Sequence, residues 1–347
     1  MKLSEFKYTL PKQNIAKFPA EPRDAARLMV IDKSTGDSQD KAFSDILGMF
    51  KKGDCLVLNE TKVFPARLFG KKEKTNATIE VMLLRELKAE ERIWDVLVEP
   101  ARKVRIGNKI YFDNNRFYCE VIDNTTSRGR TVRFSYEGNL FDVIERIGEM
   151  PLPEYIKREP NDQDKLTYQT VFSNPNLLAS IAPPTAGLHF TEELLKAIED
   201  KGVKIARVTL HIGQGIFENI EVEDLTKHRM YSEYFEISRE SAEIINKSLK
   251  AKKDVYAVGT SVVRALESSV LTTGAVKPNK GWTDKFIYPS YDFKITTKFI
   301  TNFHPPASPS LLVSAAFAGK ENIFKAYKKA LKHEYRFLAY GDAILIG

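Results

Sequence analysis

The sequence predicts an α/β protein whose chain is interrupted by a β-rich insert. Between residues 64 and 136, short β-rich runs alternate with Gly, Asn, Asp and Pro, which is typical of a small sandwich or barrel. After residue 141, helical and strand patterns alternate, which indicates an α/β domain. With 347 residues, the chain is long enough for more than one domain. We therefore expect a discontinuous α/β catalytic domain, 1–61 and 148–347, around an inserted β-rich domain, 62–147.

The first elements follow from short apolar runs. A helix is expected at 43–50 and a strand at 55–58, both before the insert. Within the insert, alternating or β-branched runs predict further strands, which lie at 79–84, 94–98, 109–112 and 117–122. The insert is thus built from strands throughout.

Two helices of the second part carry explicit start and stop signals. Thr191 can cap a helix whose first turn is acidic and which Gly202 ends. Ser308 can cap another helix, with Pro309 in its first position and Gly319 after its last. The remaining patterns predict strands at 203–212, 255–258 and 299–303 and one more helix at 260–268.

Composition narrows the class of protein. The formal net charge of +7 suits an acidic partner such as nucleic acid, but it equally suits a solubilising surface. Cys55 and Cys119 lie in apolar segments, so we expect buried, reduced thiols, as in a cytoplasmic protein. No signal-like N-terminus, membrane-length apolar run or Cys/His pair with zinc-ligand spacing is visible in the sequence. A structural metal is therefore not expected.

The segment 184–190, Pro-Thr-Ala-Gly-Leu-His-Phe, is the first that could carry chemistry. It lies directly before the helix capped by Thr191, and a helix start offers free N–H groups to an anion. Gly187 permits a backbone conformation that other residues resist, and His189 lies near the helix entrance. A buried histidine bonded to a loop carbonyl is the competing interpretation.

The segment 210–217 is the second candidate. His211 stands at the carboxyl end of a predicted strand, where α/β sheets place ligands. The pair Gly213 and Gly215 does not complete a dinucleotide fingerprint, because position 218 is glutamate. A loop that approaches a ligand closely and a plain turn both remain open.

The segment 259–269 is the third candidate. A buried strand runs into Gly259, Thr260 and Ser261 at a helix start, which is again suited to an anion. Arg264 can face a ligand or pair within its helix. Basic runs at 102–105 and 128–133, and a basic loop around residue 228, can contact RNA phosphates or simply be solvated.

Taken together, these segments make the sequence resemble one family, the S-adenosylmethionine:tRNA ribosyltransferase-isomerases of the queuosine pathway. The resemblance covers nearly the whole chain, and its specificity comes from many matching segments in order. These segments are 10–12, 19–24, 27–28, 53–54, 58–68, 151–158, 168–172, 184–190, 259–268, 301–304, 335–337 and 340–343.

The resemblance implies a fold and a reaction. The fold would be an α/β barrel-like main domain with an inserted small β-barrel-like domain. The ribosyl part of S-adenosylmethionine would pass to 7-aminomethyl-7-deazaguanine in a tRNA anticodon stem-loop and be isomerised to an epoxycyclopentane. Adenine and methionine would leave, and the product would be epoxyqueuosine-tRNA. No metal and no cofactor besides this co-substrate are implied, and we expect a cytoplasmic monomer without membrane contact.

The chemistry suggests roles for individual residues. Because a sulfonium acidifies the adjacent ribose C5′ protons, a histidine is a suitable base, and we expect His189 and His211 to be catalytic, with the choice of base open. Asp342 and Glu233 are candidates to accept the proton of the attacking amine. The expected substrate-binding residues are Thr185, Gly187, Gly213, Gly215, Thr260, Ser261, Arg264, His304 and Asp342.

One segment departs from the family pattern. At 305–310 the sequence reads Pro-Pro-Ala-Ser-Pro-Ser, where the family commonly has Leu-Pro-x-Ser-Thr-Leu, so a hydroxyl and an N–H are missing at a helix start. This departure motivates an alternative function, a divergent paralogue that binds RNA or an adenosyl ligand without turnover.

Overall fold

A computed structural model describes residues 1–113, 116–213, 215 and 220–347. Its strands are β1 Arg27–Ile31, β2 Ser38–Ala42, β3 Cys55–Asn59, β4 Lys62–Val63, β5 Arg67–Lys72, β6 Thr78–Lys88, β7 Ile93–Glu99, β8 Lys109–Asp113, β9 Phe117–Asn124, β10 Gly129–Ser135, β11 Leu178–Ser180, β12 Lys204–Leu210, β13 Glu233–Ile237, β14 Val255–Val258, β15 Asn279–Thr283, β16 Lys298–Asn302 and β17 Ala343–Ile346. Its α-helices are α1 Leu140–Ile147, α2 Asp164–Thr167, α3 Glu192–Asp200, α4 Arg239–Lys250, α5 Thr260–Ser268, α6 Pro309–Ala318 and α7 Lys320–Lys332.

The main sheet has nine strands in the order β15-β13-β12-β3-β14-β16-β17-β1-β2. The four strands β12, β3, β14 and β16 are parallel to one another, and antiparallel pairs flank them. The predicted α/β class is confirmed. The barrel-like form expected for the main domain is not observed, because a closed sheet needs its edges to pair and β15 and β2 remain edges in the described part of the chain.

The inserted β-barrel is confirmed. Six antiparallel strands close in the order β10-β7-β6-β5-β8-β9, with β9 pairing β10. Alternate residues of these strands fill the interior, and α1 covers it with Leu140 and Ile144. The barrel strands run from Arg67 to Ser135, whereas the domain limits at 62 and 147 stay a prediction.

Helices cover both faces of the main sheet. Helices α4 to α7 pack on one face, and α3 packs on the other together with a 3-10 helix, Phe43–Met49, at the place of the helix predicted for 43–50. The predicted caps are formed: Thr191 Oγ1 accepts a hydrogen bond from the Leu194 amide at 3.1 Å, and Ser308 Oγ from the Leu311 amide at 3.3 Å. These caps fix where the helices begin relative to the sheet.

Other expectations concern thiols and membranes. Cys55 and Cys119 are both buried and unpaired, as predicted. Among the described residues, the helices are all too short or too polar to cross a membrane.

The parallel strands all end at one edge of the sheet, and α5 and α6 begin at that edge, which is where α/β proteins bind ligands.

Candidate active site

A cleft opens beyond the carboxyl ends of β14 and β16. It is open to solvent on one side, and its cavity volume is about 210 Å³. Residues from well-separated segments form its wall, and they come from 183–186, from Ile212 and Gly215, and from 259–264, 301–310 and 338–339. Three of the segments that the sequence singled out therefore meet at one place.

Two helix N-termini face each other in this wall. Gly259, which precedes α5, has φ +89°, a backbone conformation that favours glycine. Thr260 at the start of α5 and Ser310 at the start of α6 bring their hydroxyl oxygens to 3.4 Å. Because a helix start presents free N–H groups and a positive dipole end, two of them side by side favour an anionic group between them.

A buried ion pair joins Glu233 and Arg264 in the same wall. Their side chains are only 7% and 9% exposed. Glu233 Oε1 also accepts the amide N–H of Gly213 at 2.9 Å, and the Arg264 guanidinium also donates to the carbonyls of Thr283 and Lys285, each at 3.1 Å. Arg264 is therefore not paired within its own helix. The ion pair with Glu233 instead joins α5 to β13 and, through Glu233, to Gly213.

His304 is the histidine that lines the cleft. Its Nε2 forms a hydrogen bond of 2.7 Å with Thr301 Oγ1, and its carbonyl accepts the Tyr8 hydroxyl at 2.5 Å. Burial lowers the pKa of His304 to about 3, so the ring is neutral at pH 7. This is a rigid, uncharged part of the wall.

His189 lies behind the cleft. It ends a 3-10 helix, Thr185–His189, is 4% exposed and lies 5.0 Å from the ring of Phe43. Burial lowers the pKa of His189 to about 4, and its Nε2 has no hydrogen-bond partner among the described residues, so the interpretation that a loop carbonyl satisfies that nitrogen is not supported.

Asn302 stands between His189 and the cleft. Its carboxamide interacts with His189 and opposes the fall in the histidine pKa, although no hydrogen bond of normal geometry joins the two. Its Nδ2 donates to the Leu338 carbonyl at 3.0 Å, while Oδ1 has no partner among the residues that the structure describes. Asn302 contributes to the wall of the cleft, but its Oδ1 is buried on the side of His189.

His211 lies at the end of β12, as predicted, but on the other face of the sheet from Glu233. Its Nδ1 forms a hydrogen bond of 2.8 Å with Thr61 Oγ1, and its ring stacks on Tyr234. Burial lowers the pKa of His211 to about 4. The ring does not line the cleft, although the next residue, Ile212, does.

Six of the expected substrate-binding residues line the cleft. They are Thr185, Gly215, Thr260, Ser261, Arg264 and His304. Gly213 is adjacent through its bond to Glu233, and Gln214 and residues 216–219 of the predicted close-approach loop lie outside the described residues.

Two predicted binding residues, Gly187 and Asp342, do not line the cleft. A side chain at Gly187 would place its Cβ 2.6 Å from Phe172 Cζ, so this glycine serves close packing. Asp342 is 1% exposed, and its carboxylate accepts the amides of Arg27 at 3.1 Å and Arg336 at 2.7 Å as well as the Arg336 guanidinium. These contacts hold the C-terminal strand in place and leave Asp342 outside the wall of the cleft.

Asn302 is not among the residues predicted from the sequence, and Glu233 is predicted only as a proton acceptor. Asn302 lies inside the matching segment 301–304, which was a usable signal, but its unpartnered oxygen needs three dimensions to be seen. Metal binding has no support in the described ranges, where no group of three or more His, Cys, Asp or Glu side chains is arranged to hold an ion.

Comparisons with known proteins agree on one family. The family model described as queuosine biosynthesis protein matches residues 3–346. Relatives called S-adenosylmethionine:tRNA ribosyltransferase-isomerase are 56% identical in Chloroherpeton thalassium and 54% identical in Cytophaga hutchinsonii, each over 100% of both chains. The crystal structure of S-adenosylmethionine tRNA ribosyltransferase from Thermotoga maritima is 33% identical, with a TM-score of 0.55, over 99% of this chain and 100% of that one.

Proposed function

Because this chain belongs to the queuosine biosynthesis protein family, the S-adenosylmethionine:tRNA ribosyltransferase-isomerases, we propose that its cleft binds S-adenosylmethionine and modifies a tRNA anticodon. In this proposal the ribosyl part of S-adenosylmethionine is transferred to 7-aminomethyl-7-deazaguanine. Isomerisation then gives epoxyqueuosine-tRNA, and adenine and methionine are released.

The observation that carries the proposal is the meeting of two helix N-termini in one cleft. The methionine carboxylate binds where Thr260 and Ser310 face each other, because both helix starts offer free N–H groups there. The start of α3 at Thr191, which the sequence also suggested for the carboxylate, is not part of the wall.

The neutral histidines supply the base. The sulfonium acidifies the ribose C5′ protons, and an imidazole with a pKa below 7 is already unprotonated and able to take one. Both His189 and His211 meet this condition, since burial lowers each pKa to about 4. His189 lies behind the cleft beside Asn302, and His211 lies at the end of β12 next to the cleft residue Ile212, so the choice of base between them stays open.

Adenine release tests the proposal. The protein is incubated with S-adenosylmethionine and tRNA carrying the aminomethyl-deazaguanine, and free adenine is measured by chromatography. Adenine release that requires both substrates supports the proposal. Binding of both substrates without adenine would favour the alternative, a paralogue that binds without turnover, for which the prolines of the segment 305–310 in the wall are the structural reason.

Separate variants His189→Ala and His211→Ala test the base. Each is expected to lower kcat by about 10²- to 10⁴-fold if its imidazole transfers a proton in the transition state. His333→Ala is the matched control, because His333 is exposed and pairs with Asp40 at 3.6 Å on the surface. If both histidine variants release adenine at the rate of the control, the assignment of the base is wrong.

A further inference from the structure

Three ring side chains form a line across the outer strands of the main sheet. His211, Tyr234 and Trp282 come from the end of β12, from β13 and from β15, and we call them the aromatic row. We propose that the aromatic row is a stacking platform for an unpaired base of the RNA substrate. This inference rests on the proposed function, because it names the surface by which that same site receives its RNA.

The strand register produces the row. In β13, Glu233, Phe235 and Ile237 are buried under the helices, so Tyr234 points to the opposite face. Tyr234 pairs directly with Trp282, and the His211 amide donates to the Tyr234 carbonyl. One side chain from each strand therefore stands on the same outward face.

The three rings touch in sequence. The rings of His211 and Tyr234 are stacked, with centroids 5.7 Å apart and planes at 19°. Tyr234 and Trp282 meet edge to face at 5.9 Å and 75°. These contacts order the rings before any ligand arrives, so little side-chain freedom remains to be lost on binding.

Trp282 is the outermost member of the row. It is 57% exposed, whereas the other tryptophan of the chain, Trp94, is 3% exposed in the barrel core. If Trp282 served only to hold the barrel against the main sheet, the contact surface between the two would cover its ring. More than half of this indole instead remains available to a partner.

A positive charge accompanies the exposed indole. Arg85 of β6 reaches from the barrel and places its guanidinium carbon 5.3 Å from the centroid of Trp282. The Arg85 side chain is itself 48% exposed, and its Asp95 partner is 3.9 Å away. A planar aromatic surface beside an exposed arginine matches the two parts of single-stranded RNA, a base with a π face and an anionic backbone.

The aromatic row lies at the same edge of the sheet as the cleft but on the opposite face. His211 is its inner end, and the next residue, Ile212, points to the other face and lines the cleft wall. An RNA strand that rounds this edge of the sheet can therefore reach both the row and the cleft. This continuity selects RNA over an unrelated ligand, because the occupant must extend from the platform into the active site.

Intrinsic fluorescence tests the platform in the wild-type protein. Trp282 is the only exposed tryptophan of the two in the sequence, so its emission reports what stacks on it. A stem-loop RNA with an unpaired loop is expected to quench this emission, whereas a fully paired RNA of equal length and charge is not. Equal quenching by the two RNAs would overturn the proposal, since charge attraction alone would then explain it.

Variants give the second measurement. Trp282→Ala is expected to weaken binding of the stem-loop by about 5- to 150-fold, and Trp282→Phe to retain most affinity while losing the fluorescence change. Phe18→Ala is the matched control: Phe18 is 56% exposed and has Arg158 at 4.4 Å, but lies outside the row. Affinity of Trp282→Ala equal to that of the control would overturn the proposal; if Trp282→Ala does not fold, the phenylalanine variant and the wild-type titration decide.

The outcome for the platform is separable from the outcome for the proposed function. Quenching needs no turnover, so selective quenching without adenine release would refute the proposed function and leave the platform in place. Conversely, a Trp282→Ala variant with an unchanged KM for tRNA and full adenine release would refute the platform alone.

Discussion

Glu233→Gln should destabilise the protein strongly, although it changes one atom of the side chain. The substitution leaves the Arg264 guanidinium buried without its counter-charge, since both side chains are less than one-tenth exposed. Removing one member of a buried pair costs about 3–5 kcal/mol. Two carbonyls still accept hydrogen bonds from Arg264, so we expect the lower end, about 3 kcal/mol.

This magnitude can be converted into a melting shift. Unfolding entropy near 2.1 cal/mol/K per residue, applied to the whole chain, makes 3–5 kcal/mol equivalent to roughly 4–7 °C in Tm. Glutamine keeps only one acceptor oxygen, so it cannot accept from both the Gly213 amide and the Arg264 guanidinium as Glu233 does, and we expect the affinity for S-adenosylmethionine to fall.

A double-mutant cycle with Arg264→Met measures the pair itself. Each single variant is unfolded in urea and by heat, and each should lose about 3 kcal/mol of unfolding free energy or more. The double variant should be more stable than the sum predicts, because it leaves no uncompensated buried charge. Single variants that lose less than about 1 kcal/mol, a value typical of exposed pairs, would refute the reasoning.

Three further predictions concern the same framework. Burial lowers the pKa of His304 to about 3 and that of His189 to about 4, whereas the unfolded chain takes up these protons below about pH 6.5. The free energy of unfolding should therefore fall as the pH drops from 6.5 to 4, by roughly 1.4 kcal/mol per pH unit for each histidine. A Tm that stays flat over that window would contradict this expectation. Gly259→Ala should cost about 1–3 kcal/mol in urea unfolding because alanine resists φ +89°, and no loss would mean that α5 can start differently. Asp342→Asn should lower Tm because it weakens the hydrogen bonds to Arg336, and the folded protein should keep its KM for S-adenosylmethionine. A raised KM with a normal Tm would instead identify Asp342 as a binding residue.

Local signals predicted much of the fold. Thr191 and Ser308 begin their helices where the sequence places the caps, because a cap depends on residues three positions apart. Four strands of the barrel follow from alternation alone. The barrel closes because its first and last strands find partners around the ring, which alternation does not specify.

Long-range features were beyond such signals. The strand β17 is inserted between β16 and β1, and its neighbours are far away in sequence. The pair Glu233 and Arg264 and the aromatic row likewise depend on register between strands that are distant along the chain. The helix α7 was missed for a different reason, because it begins directly after Gly319, which the sequence predicts as the end of a helix.

The candidate site was predicted by segment better than by residue. The segments around Thr185, Thr260 and His304 meet in the cleft, but Asp342 and Gly187, which the resemblance also singled out, lie outside its wall and make close contacts with neighbouring residues. A motif contains both the residues that contact a ligand and those that hold the loop, and the sequence alone does not separate them.

Transfer of labelled ribose directly tests whether the ribosyl group of S-adenosylmethionine reaches the tRNA. S-adenosylmethionine carrying ¹³C in its ribose is incubated with the protein and precursor tRNA, and the nucleosides of the digested tRNA are analysed by mass spectrometry together with free adenine and methionine. The account predicts the ribose label in the modified deazaguanine nucleoside, with one adenine and one methionine released for each label transferred. Label that stays with adenosine or methylthioadenosine, with none in the tRNA, would contradict it.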